Sequence, residues 1–435
     1  MKIKLENLAT KYSELKLSDG LYLPDFEHNL YKLRNTFEEI LGVSESDNSL
    51  LKYSDIKKLV YERGCEQPRI IVHFTVDSMG LNQLIKKGHF FEKYRENNEI
   101  IELSSLFPTI TSTIMTSIHL GLPPEEHGIL GHKIRFPEIG AVVNTLVMNV
   151  INAEDGQKDS LVRCGVDPKS LLWKYFPTTY YNSENYKQIN LLQFDIAMTG
   201  LSHLMIEPES VISFKNHIDG IEKLKLLLKR KEKMYIHYYI ADIDDNSHIY
   251  GPFSEQYDST SEFIEFLIKK FIKSVGTSIA DEIMLTITAD HGQNTLDEDK
   301  VIYFDNEEKE EFSKYLIAPM GKSGRVIHFY VKEDRIEEFK EALHNKIGDG
   351  GLILTKYDNI RPLFASDKNL DRIFQRLGNV FVILKPNYSI ERKNNQKEEN
   401  EFIEFKMKGT HGSLSLDELI VPLFLDKISN YKKYC

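Results

Sequence analysis

The chain has 435 residues, a formal net charge of −11 and an isoelectric point of about 5.8. This length predicts one large α/β domain with an insertion, or two domains, rather than the simplest single core. Because the net charge is negative, no global positive field draws the chain onto nucleic acid or anionic lipid, which excludes an extended nucleic-acid surface and favours a small ligand.

Residues 1–68 form a polar lead-in, which we expect to be an appendage packed on the main domain. Its clearest feature is a set of apolar residues at helical spacing: Leu30, Leu33, Phe37, Ile40 and Leu41. The start of the chain is charged and lacks the apolar stretch of a secretory signal. No apolar run along the chain reaches the length of a membrane span. These features predict a cytoplasmic protein with no membrane partner.

The chain contains three cysteines, and none belongs to a CxxC pair: Cys65, Cys164 and Cys435. An odd number of widely spaced cysteines fits neither a disulfide framework nor a zinc ribbon. We expect reduced intracellular thiols.

PRIIVHFTVDSMG (68–80) predicts a strand that ends in Asp77. In parallel α/β sheets the carboxyl ends of strands face the ligand crevice, so Asp77 would be placed for chemistry. An Asp that caps the following helix is an equally good interpretation of this segment alone. His73 lies inside the strand, and we expect a core or sheet-face histidine there rather than a ligand.

FPTITSTIMTSIHLGLPPEEHGILG (107–131) gathers hydroxyl side chains where a helix is expected to begin: Thr109, Thr111, Ser112, Thr113 and Thr116. Free N–H groups and the positive end of a helix dipole favour an anion at such a point, so a phosphate could bind there. Ser and Thr are also the usual helix caps, and this stretch alone favours that interpretation. The next segment, 132–151, predicts strands in a hairpin or at an edge. His132 and Lys133 in it are weak candidates for binding the phosphate.

Two more strands are expected to end in Asp and His. Segment 191–205 predicts a helix, and 218–233 predicts an amphipathic helix. MYIHYYIADIDDNSH (234–248) predicts a buried strand followed by an acidic loop with Asp244 and His248, although such loops are often merely solvated. DEIMLTITADHGQN (281–294) repeats the design with Asp290 and His291. A third strand with this ending is hard to ascribe to chance.

From about residue 297 the composition becomes highly charged, and strand and helix patterns predict a small α+β unit whose loops could form a lid. GTHG then introduces His411, and a final strand follows that Pro422 would place at a sheet edge. The predicted division is an N-terminal appendage (1–68), a main domain (69–296), an inserted α+β cap (297–408) and a return to the main domain (409–435).

Together the Asp and His segments could supply the ligands of a two-metal hydrolytic site, with a nucleophile from the hydroxyl stretch. Mixed Asp and His ligation suits zinc or manganese better than calcium, which prefers oxygen ligands. A threonine hydroxyl is a weak nucleophile until a divalent cation stabilises its alkoxide. The residues therefore favour metal-assisted displacement at phosphorus.

Taken in order, these segments resemble the alkaline phosphatase superfamily, and most closely its type I phosphodiesterase/nucleotide pyrophosphatase branch. Five motifs between residues 69 and 412 carry the resemblance: VDSMG, Pro-Thr-x-Thr followed by GLPPEEHGI, Asp-x-x-x-His followed by YGP, TADHG and GTHG. The resemblance implies an α/β fold with a mostly parallel central sheet flanked by helices, and a smaller inserted α+β domain.

The resemblance also implies roles for single residues. One metal ion would be bound by Asp77, Thr111, Asp290 and His291, with Thr111 as the nucleophile. The second would be bound by Asp244, His248 and His411. Two divalent ions, zinc or else manganese, would then support hydrolysis of a small phosphate ester or nucleotide through a phosphothreonine.

One position departs from the family pattern. An asparagine that commonly follows the nucleophile by three residues, and that binds a phosphate oxygen, is replaced by Ile114. Either Ser112, Thr113 or a backbone N–H supplies that contact, or the substrate differs. We therefore expect a phosphodiesterase or nucleotide pyrophosphatase, with a phosphomonoesterase or phosphotransferase as the alternative within enzymes. If the chain is not an enzyme, the alternative is a catalytically silent nucleotide-binding relative.

Overall fold

The structure is a computed structural model, and it describes residues 10–87, 90–151, 157–175, 182–183, 186–392 and 407–435. The strands, numbered in chain order, are β1 (Lys16–Ser18), β2 (Leu21–Tyr22), β3 (Ile70–Val76), β4 (Ile101–Ser104), β5 (Lys133–Phe136), β6 (Ala141–Asn144), β7 (Asn149–Val150), β8 (Asn182–Ser183), β9 (Tyr186–Gln193), β10 (Val211–Phe214), β11 (Lys233–Ile240), β12 (Ile283–Thr288), β13 (Asn294–Thr295), β14 (Val301–Phe304), β15 (Gly321–Ser323), β16 (Val326–Phe329), β17 (Gly351–Thr355), β18 (Val380–Leu384), β19 (Ser389–Arg392), β20 (Gly409–Thr410) and β21 (Ile420–Lys427).

The α-helices are α1 (Leu33–Ile40), α2 (Ser54–Glu62), α3 (Leu81–Lys87), α4 (Glu92–Asn97), α5 (Thr111–Leu120), α6 (Pro124–His127), α7 (Ser160–Arg163), α8 (Ser202–Met205), α9 (His217–Leu227), α10 (Asp242–Tyr250), α11 (Glu255–Ser274), α12 (Asn306–Ser313), α13 (Ile336–Ile347), α14 (Phe374–Leu377), α15 (Leu416–Leu419) and α16 (Ile428–Tyr431). None of the helices in the described ranges is both long enough and apolar enough to cross a membrane.

A large, mostly parallel sheet forms the centre of the molecule, as predicted. Its strand order is β10, β9, β11, β3, β12, β21, β4, and β8 pairs with β9. The run from β10 to β12 is parallel, whereas β21 is antiparallel to both β12 and β4. Because β11, β3 and β12 are neighbours and point the same way, their carboxyl ends meet at one edge of the sheet.

Helices cover both faces of this sheet. Phe37 of α1 contacts His73 on one face, where burial lowers the pKa of that imidazole. On the other face, Phe271 of α11 packs against Phe74. Adjacent residues of a strand point to opposite faces, and every residue of β3 is buried, so this strand is covered on both sides. His73 is thus a sheet-face histidine, as expected, and its Nδ1 lies 2.8 Å from the Tyr235 hydroxyl.

A second, antiparallel sheet has the strand order β17, β18, β16, β15, β5, β6, β7. Residues such as Phe329, Phe339 and Val382 form an apolar core of its own on the side of α13. Strands β5–β7 show that segment 132–151 forms the predicted hairpin arrangement at a sheet edge. The division of the chain at residues 68, 296 and 408 stays a prediction, and this sheet joins strands from both sides of residue 296.

Three local predictions are wrong. Segment 191–205 begins inside β9. A short apolar run fits a strand as well as a helix, and pairing with β11 makes the first part of this segment a strand. Residues 242–248 belong to α10 rather than a loop, since Asp residues favour the first turn of a helix. Pro422 lies in an inner strand, between β12 and β4. It lies one residue beyond the last pair with β12, Thr288 and Leu423, so its missing N–H breaks no bond to β12.

Candidate active site

The candidate site lies at the edge where β3, β12 and β11 end. Asp77 follows β3 directly, and Asp290 and His291 follow β12. Asp244 and His248 are on α10, which begins two residues after β11, and their spacing of four puts them on one helix face. The short pairing of β13 with β20 brings the segment of His411 beside the segment of His291. Residues far apart in sequence therefore meet at one place.

The first group consists of Asp77, Asp290 and His291, whose ligand atoms all lie within 4.8 Å of one another. His291 Nε2 is 3.6 Å from Asp77 Oδ1 and 3.3 Å from Asp290 Oδ2. All three side chains are buried. The Thr111 hydroxyl adjoins this group, 3.4 Å from Asp77 Oδ2 and 3.2 Å from His291 Nε2.

The second group consists of Asp244, His248 and His411, and it satisfies the same 4.8 Å limit. Asp244 Oδ2 is 3.3 Å from His248 Nε2, and its Oδ1 is 3.6 Å from His411 Nε2. The two groups adjoin, because the rings of His291 and His411 stack with centroids 3.7 Å apart.

The beginning of α5 positions Thr111. Ile110 has extended backbone geometry, so Thr111 is the first helical residue, where backbone N–H groups have no partner within the helix. Thr109, just before it, is tied to the His411 loop. Its hydroxyl donates to Ser413 O at 2.7 Å and accepts from Gly412 N–H at 3.0 Å. The helix end and the loop are thus held as one unit.

Gly412 is needed for this loop conformation. Its φ is +117°, and a Cβ there would lie 2.1 Å from Ser323 O. A larger residue would therefore clash with the turn between β15 and β16. This contact explains the final glycine of the GTHG motif.

The crowded, buried carboxyl groups of the site favour a positively charged ligand. Burial, with Asp290 and Asp244 nearby, raises the pKa of Asp77 well above its ordinary value, and burial raises the pKa of Asp290 to about 6. Burial opposes the charged form of Asp244, but the imidazole of His248 and its neighbours hold the pKa of Asp244 well below its usual range. Burial likewise lowers the pKa of His291 to about 4. Carboxylates crowded in this way are stabilised by a bound cation.

The residues present fit a pair of divalent ions. Asp77 Oδ1 and Asp290 Oδ2 are buried and have no hydrogen-bond partner among the described residues, so each is available as a ligand atom. The set combines carboxylate oxygen with imidazole nitrogen, which is typical of zinc and manganese sites. His411 Nδ1 lies 2.8 Å from Thr109 O and His248 Nδ1 lies 2.9 Å from Gly409 O, which leaves each Nε2 directed at the site.

The weaker candidates for phosphate binding lie in different places. Ser112 Oγ donates to Gly131 O at 3.1 Å, whereas the buried Thr113 hydroxyl has no partner among the described residues. Burial and Lys133 lower the pKa of His132 to about 3, with smaller contributions from His411 and His248, so His132 lies in their neighbourhood. Lys133 lines another cavity, with Phe304 and Phe312. Lys133 is the first residue of β5, directly after His132.

Three residues with contacts to the predicted ligands escaped the sequence analysis. Ser78 Oγ donates to Asp244 Oδ1 at 2.6 Å and lies 3.3 Å from His291 Nδ1. The Tyr239 hydroxyl donates to Asp77 Oδ2. Gln293 Nε2 donates to Asp244 Oδ1 at 2.6 Å. Ser78 lies within the VDSMG motif and Gln293 directly follows TADHG, which is the signal that could have found them.

Residues 71–414 match the family model described as type I phosphodiesterase/nucleotide pyrophosphatase. The chain belongs to this family. The match spans the strands and loops that carry the candidate site, and it confirms the resemblance seen in the sequence. Family membership also places the chain among the phosphoric ester hydrolases.

Two solved structures share this fold. Murine ectonucleotide pyrophosphatase/phosphodiesterase 5 superposes with a TM-score of 0.58 at 16% sequence identity, over 82% of this chain and 87% of that chain. Phosphonoacetate hydrolase from Sinorhizobium meliloti 1021, in complex with phosphonoformate, gives 0.56 at 16% identity, over 83% and 90%. At such identities the likeness shows a shared fold. No curated protein matched the chain.

Proposed function

We propose that the chain is a two-metal phosphoric ester hydrolase that acts through a phosphothreonine on Thr111. The observation that carries the proposal is the position of the Thr111 hydroxyl, within 3.4 Å of Asp77 and 3.2 Å of His291 at the start of a helix. The family assignment supports a phosphodiesterase or nucleotide pyrophosphatase.

Each group of residues would hold one divalent ion, most suitably zinc, with manganese as the alternative. Asp77, Asp290, His291 and Thr111 would hold the first, and Asp244, His248 and His411 the second. When bound, such ions stabilise a threonine alkoxide and the charge on the phosphoryl oxygens.

The chain's own residues bind and orient the phosphoryl group. Thr113 N–H and Ile114 N–H already donate to Ile110 O, so the N–H groups at the very start of α5 are the ones that favour a phosphoryl oxygen. The side chain of Ile114 offers no donor for this role. The bond from Thr111 Oγ1 to phosphorus forms as the bond from phosphorus to the leaving oxygen breaks. Water then attacks the phosphothreonine, which releases the phosphate product and restores the hydroxyl.

The relatives give this proposal further support. Murine ectonucleotide pyrophosphatase/phosphodiesterase 5 was solved as an inactive Thr→Ala variant in complex with AMP. The Sinorhizobium enzyme was solved with a small phosphonate. A small phosphoryl substrate for this chain is consistent with both.

The test compares bis(p-nitrophenyl) phosphate with p-nitrophenyl phosphate, each with zinc and with manganese. We expect the wild type to prefer the diester. Thr111→Ala should abolish turnover while metal content stays near wild type, and Thr111→Ser should retain part of the activity. Thr116→Ala is the control, because the Thr116 hydroxyl donates to Ser112 O within the same helix. Full activity in Thr111→Ala would refute the mechanism, and a preference for the monoester would favour a phosphomonoesterase.

A further inference from the structure

A cavity of about 280 Å³ opens beside Thr111. Asp77, Thr111 and Asp244 line one end of it, so it is continuous with the candidate active site. Met115 and His119 also line it, one and two turns along α5 from Thr111. The cavity therefore extends along this helix from the reacting hydroxyl, and a group bound in it lies beside Thr111.

Much of the wall of this cavity is apolar. The apolar part is formed by Leu146, Val147, Leu192, Ile196, Leu201 and Met205, and hydroxyl groups are added by Thr199, Ser202 and Tyr239. His119 and His237 line it as well, and their rings pack edge to face with centroids 4.8 Å apart. Burial lowers the pKa of both imidazoles, that of His237 to about 3, so both are neutral near pH 7. The lining suits an uncharged group with a large apolar portion.

The charged residues around the cavity also favour an uncharged group. Among the described residues that line it, Lys158 is the only Lys or Arg, and its ammonium group already donates to Asp195 O. A phosphate or carboxylate on the bound group would bring further negative charge into a space bordered by Asp245, with Lys158 as the one lysine or arginine among these described residues to offset it. Burying such a charge with so little cationic compensation is unfavourable.

We propose that the protein hydrolyses phosphodiesters whose retained alcohol is uncharged and mainly aliphatic. This inference rests on the proposed function above. In-line displacement places the leaving oxygen opposite the attacking one, so a group beside Thr111 stays on phosphorus when the leaving alcohol departs. Thr111 Oγ1 bonds to phosphorus as the leaving alkoxide departs and takes up a proton. Water then cleaves the phosphothreonine, and the products are the free alcohol and an alkyl phosphate.

The test uses p-nitrophenyl diesters that share one leaving group and differ in the retained group: methyl, butyl, hexyl and thymidin-5′-yl. With the zinc-loaded full chain, we expect kcat/KM to rise about fourfold per methylene, and more than tenfold from methyl to butyl. The butyl ester should also exceed the thymidine ester. A flat series, or a thymidine ester better than butyl, would overturn the inference while leaving a working hydrolase. No turnover of any ester would overturn the proposed function and this inference with it.

Variants of the cavity wall give an independent measure. Ile196→Lys adds a charge and Met205→Gln adds an amide at nearly constant volume, so both should bring the butyl-to-methyl ratio close to 1. Ile317→Lys is the matched control, because Ile317 is 62% exposed and does not line the cavity. Calorimetric titration of Thr111→Ala should show butyl phosphate binding at least tenfold more tightly than methyl phosphate. A butyl-to-methyl ratio like that of the wild type in both wall variants, or equal affinities for butyl and methyl phosphate, would contradict the proposal.

Discussion

Single hydroxyl groups link the two halves of the candidate active site. Ser78 has a positive φ of 63°, which turns its side chain toward both groups, and its hydroxyl donates to Asp244 while lying close to His291. Groups that orient metal ligands typically change metal affinity or activity by about 10- to 100-fold when removed. Ser78 is therefore expected to orient ligands of both ions.

For Ser78→Ala we expect zinc affinity at the Asp244 site to fall about tenfold, because Asp244 loses a donor that fixes its carboxylate. Competition with a chromophoric chelator measures this affinity. Ser313→Ala on the exposed side of α12 serves as the control. An unchanged affinity in Ser78→Ala would mean that the hydroxyl does not orient Asp244.

Adjacent tyrosines of β11 provide a second residue-scale experiment. Tyr239 donates to Asp77, whereas the hydroxyl of Tyr238 lies 3.1 Å from His217 on the opposite face. Tyr239→Phe should weaken zinc binding about tenfold, since Asp77 loses an orienting donor. Tyr238→Phe should leave zinc affinity unchanged in the same chelator titration. Equal effects of the two changes would show that only general stability is being measured.

The predicted Asp and His residues could be recognised from sequence, because metal-type residues recur where strands end. Tyr239 could not. Its contact with Asp77 depends on the register in which β11 pairs with β3, where Tyr239 lies opposite Thr75. Nothing in the local sequence specifies that register. The metal-binding roles of the predicted ligands stay a prediction, although the structure brings them together.

At the level of elements, a buried ion pair joins the second sheet to the His411 segment. Arg325, in the turn just before β16, pairs with Glu418 of α15, and both side chains are fully buried. Glu418 also accepts from Ser413 N–H at 3.0 Å and Ser415 N–H at 3.2 Å. Arg325 N–H donates to His411 O at 2.9 Å. This region therefore couples the second sheet to a candidate ligand.

Arg325→Met should lower the free energy of unfolding by about 3–5 kcal/mol, because it leaves a buried carboxylate without its charge partner. Urea titration followed by far-UV circular dichroism measures the change. Arg335→Met is the matched control, since the Arg335–Glu338 pair is exposed, and its midpoint should match the wild type. A similar midpoint for both variants would contradict the structural role of the buried pair.

Two errors of element prediction have different causes. The acidic stretch 242–248 resembles a solvated loop in composition, yet its carboxylates stabilise the first turn of α10. The apolar residues of segment 191–205 fit a strand or a helix, and pairing with the neighbouring β11 places the first part of the segment in the sheet. The first structure is thus determined locally, and the second by pairing with another strand.

At the scale of the whole molecule, a buried carboxyl group couples stability to pH. Glu125 of α6 is fully buried and accepts from Ser366 N–H at 2.7 Å, while its Oε2 has no partner among the described residues. Burial raises the pKa of Glu125 from 4.5 to about 7. Between these two values the unfolded chain has lost the proton that the folded chain retains, so stability falls as pH rises.

Glu125→Gln should remove this dependence, because glutamine does not titrate. Relative to wild type, the variant should gain about 2 kcal/mol of unfolding free energy between pH 5 and pH 7.5. Urea titrations at both pH values measure the difference, with Glu341→Gln on the exposed face of α13 as the control. Parallel pH profiles for wild type and Glu125→Gln would contradict the assignment.

The overall architecture was predictable because three apolar strands each end in metal-type residues, and parallel α/β sheets bring such ends together. The set of strands that forms the second sheet was not predictable from the sequence. Strands β5–β7 belong to the hairpin segment 132–151, but β5 pairs with β15 nearly 190 residues later. Pairing across that distance depends on the folded chain, so sequence patterns alone identify the hairpin and miss its partner.

The central claim is that loops distant in sequence bind two divalent ions beside Thr111. Anomalous diffraction at the zinc edge, from crystals of the zinc-loaded protein, tests it most directly. We expect two peaks, one among Asp77, Asp290 and His291 and one among Asp244, His248 and His411, with the second lost in His411→Ala. A single peak, or peaks away from these residues, would contradict the claim.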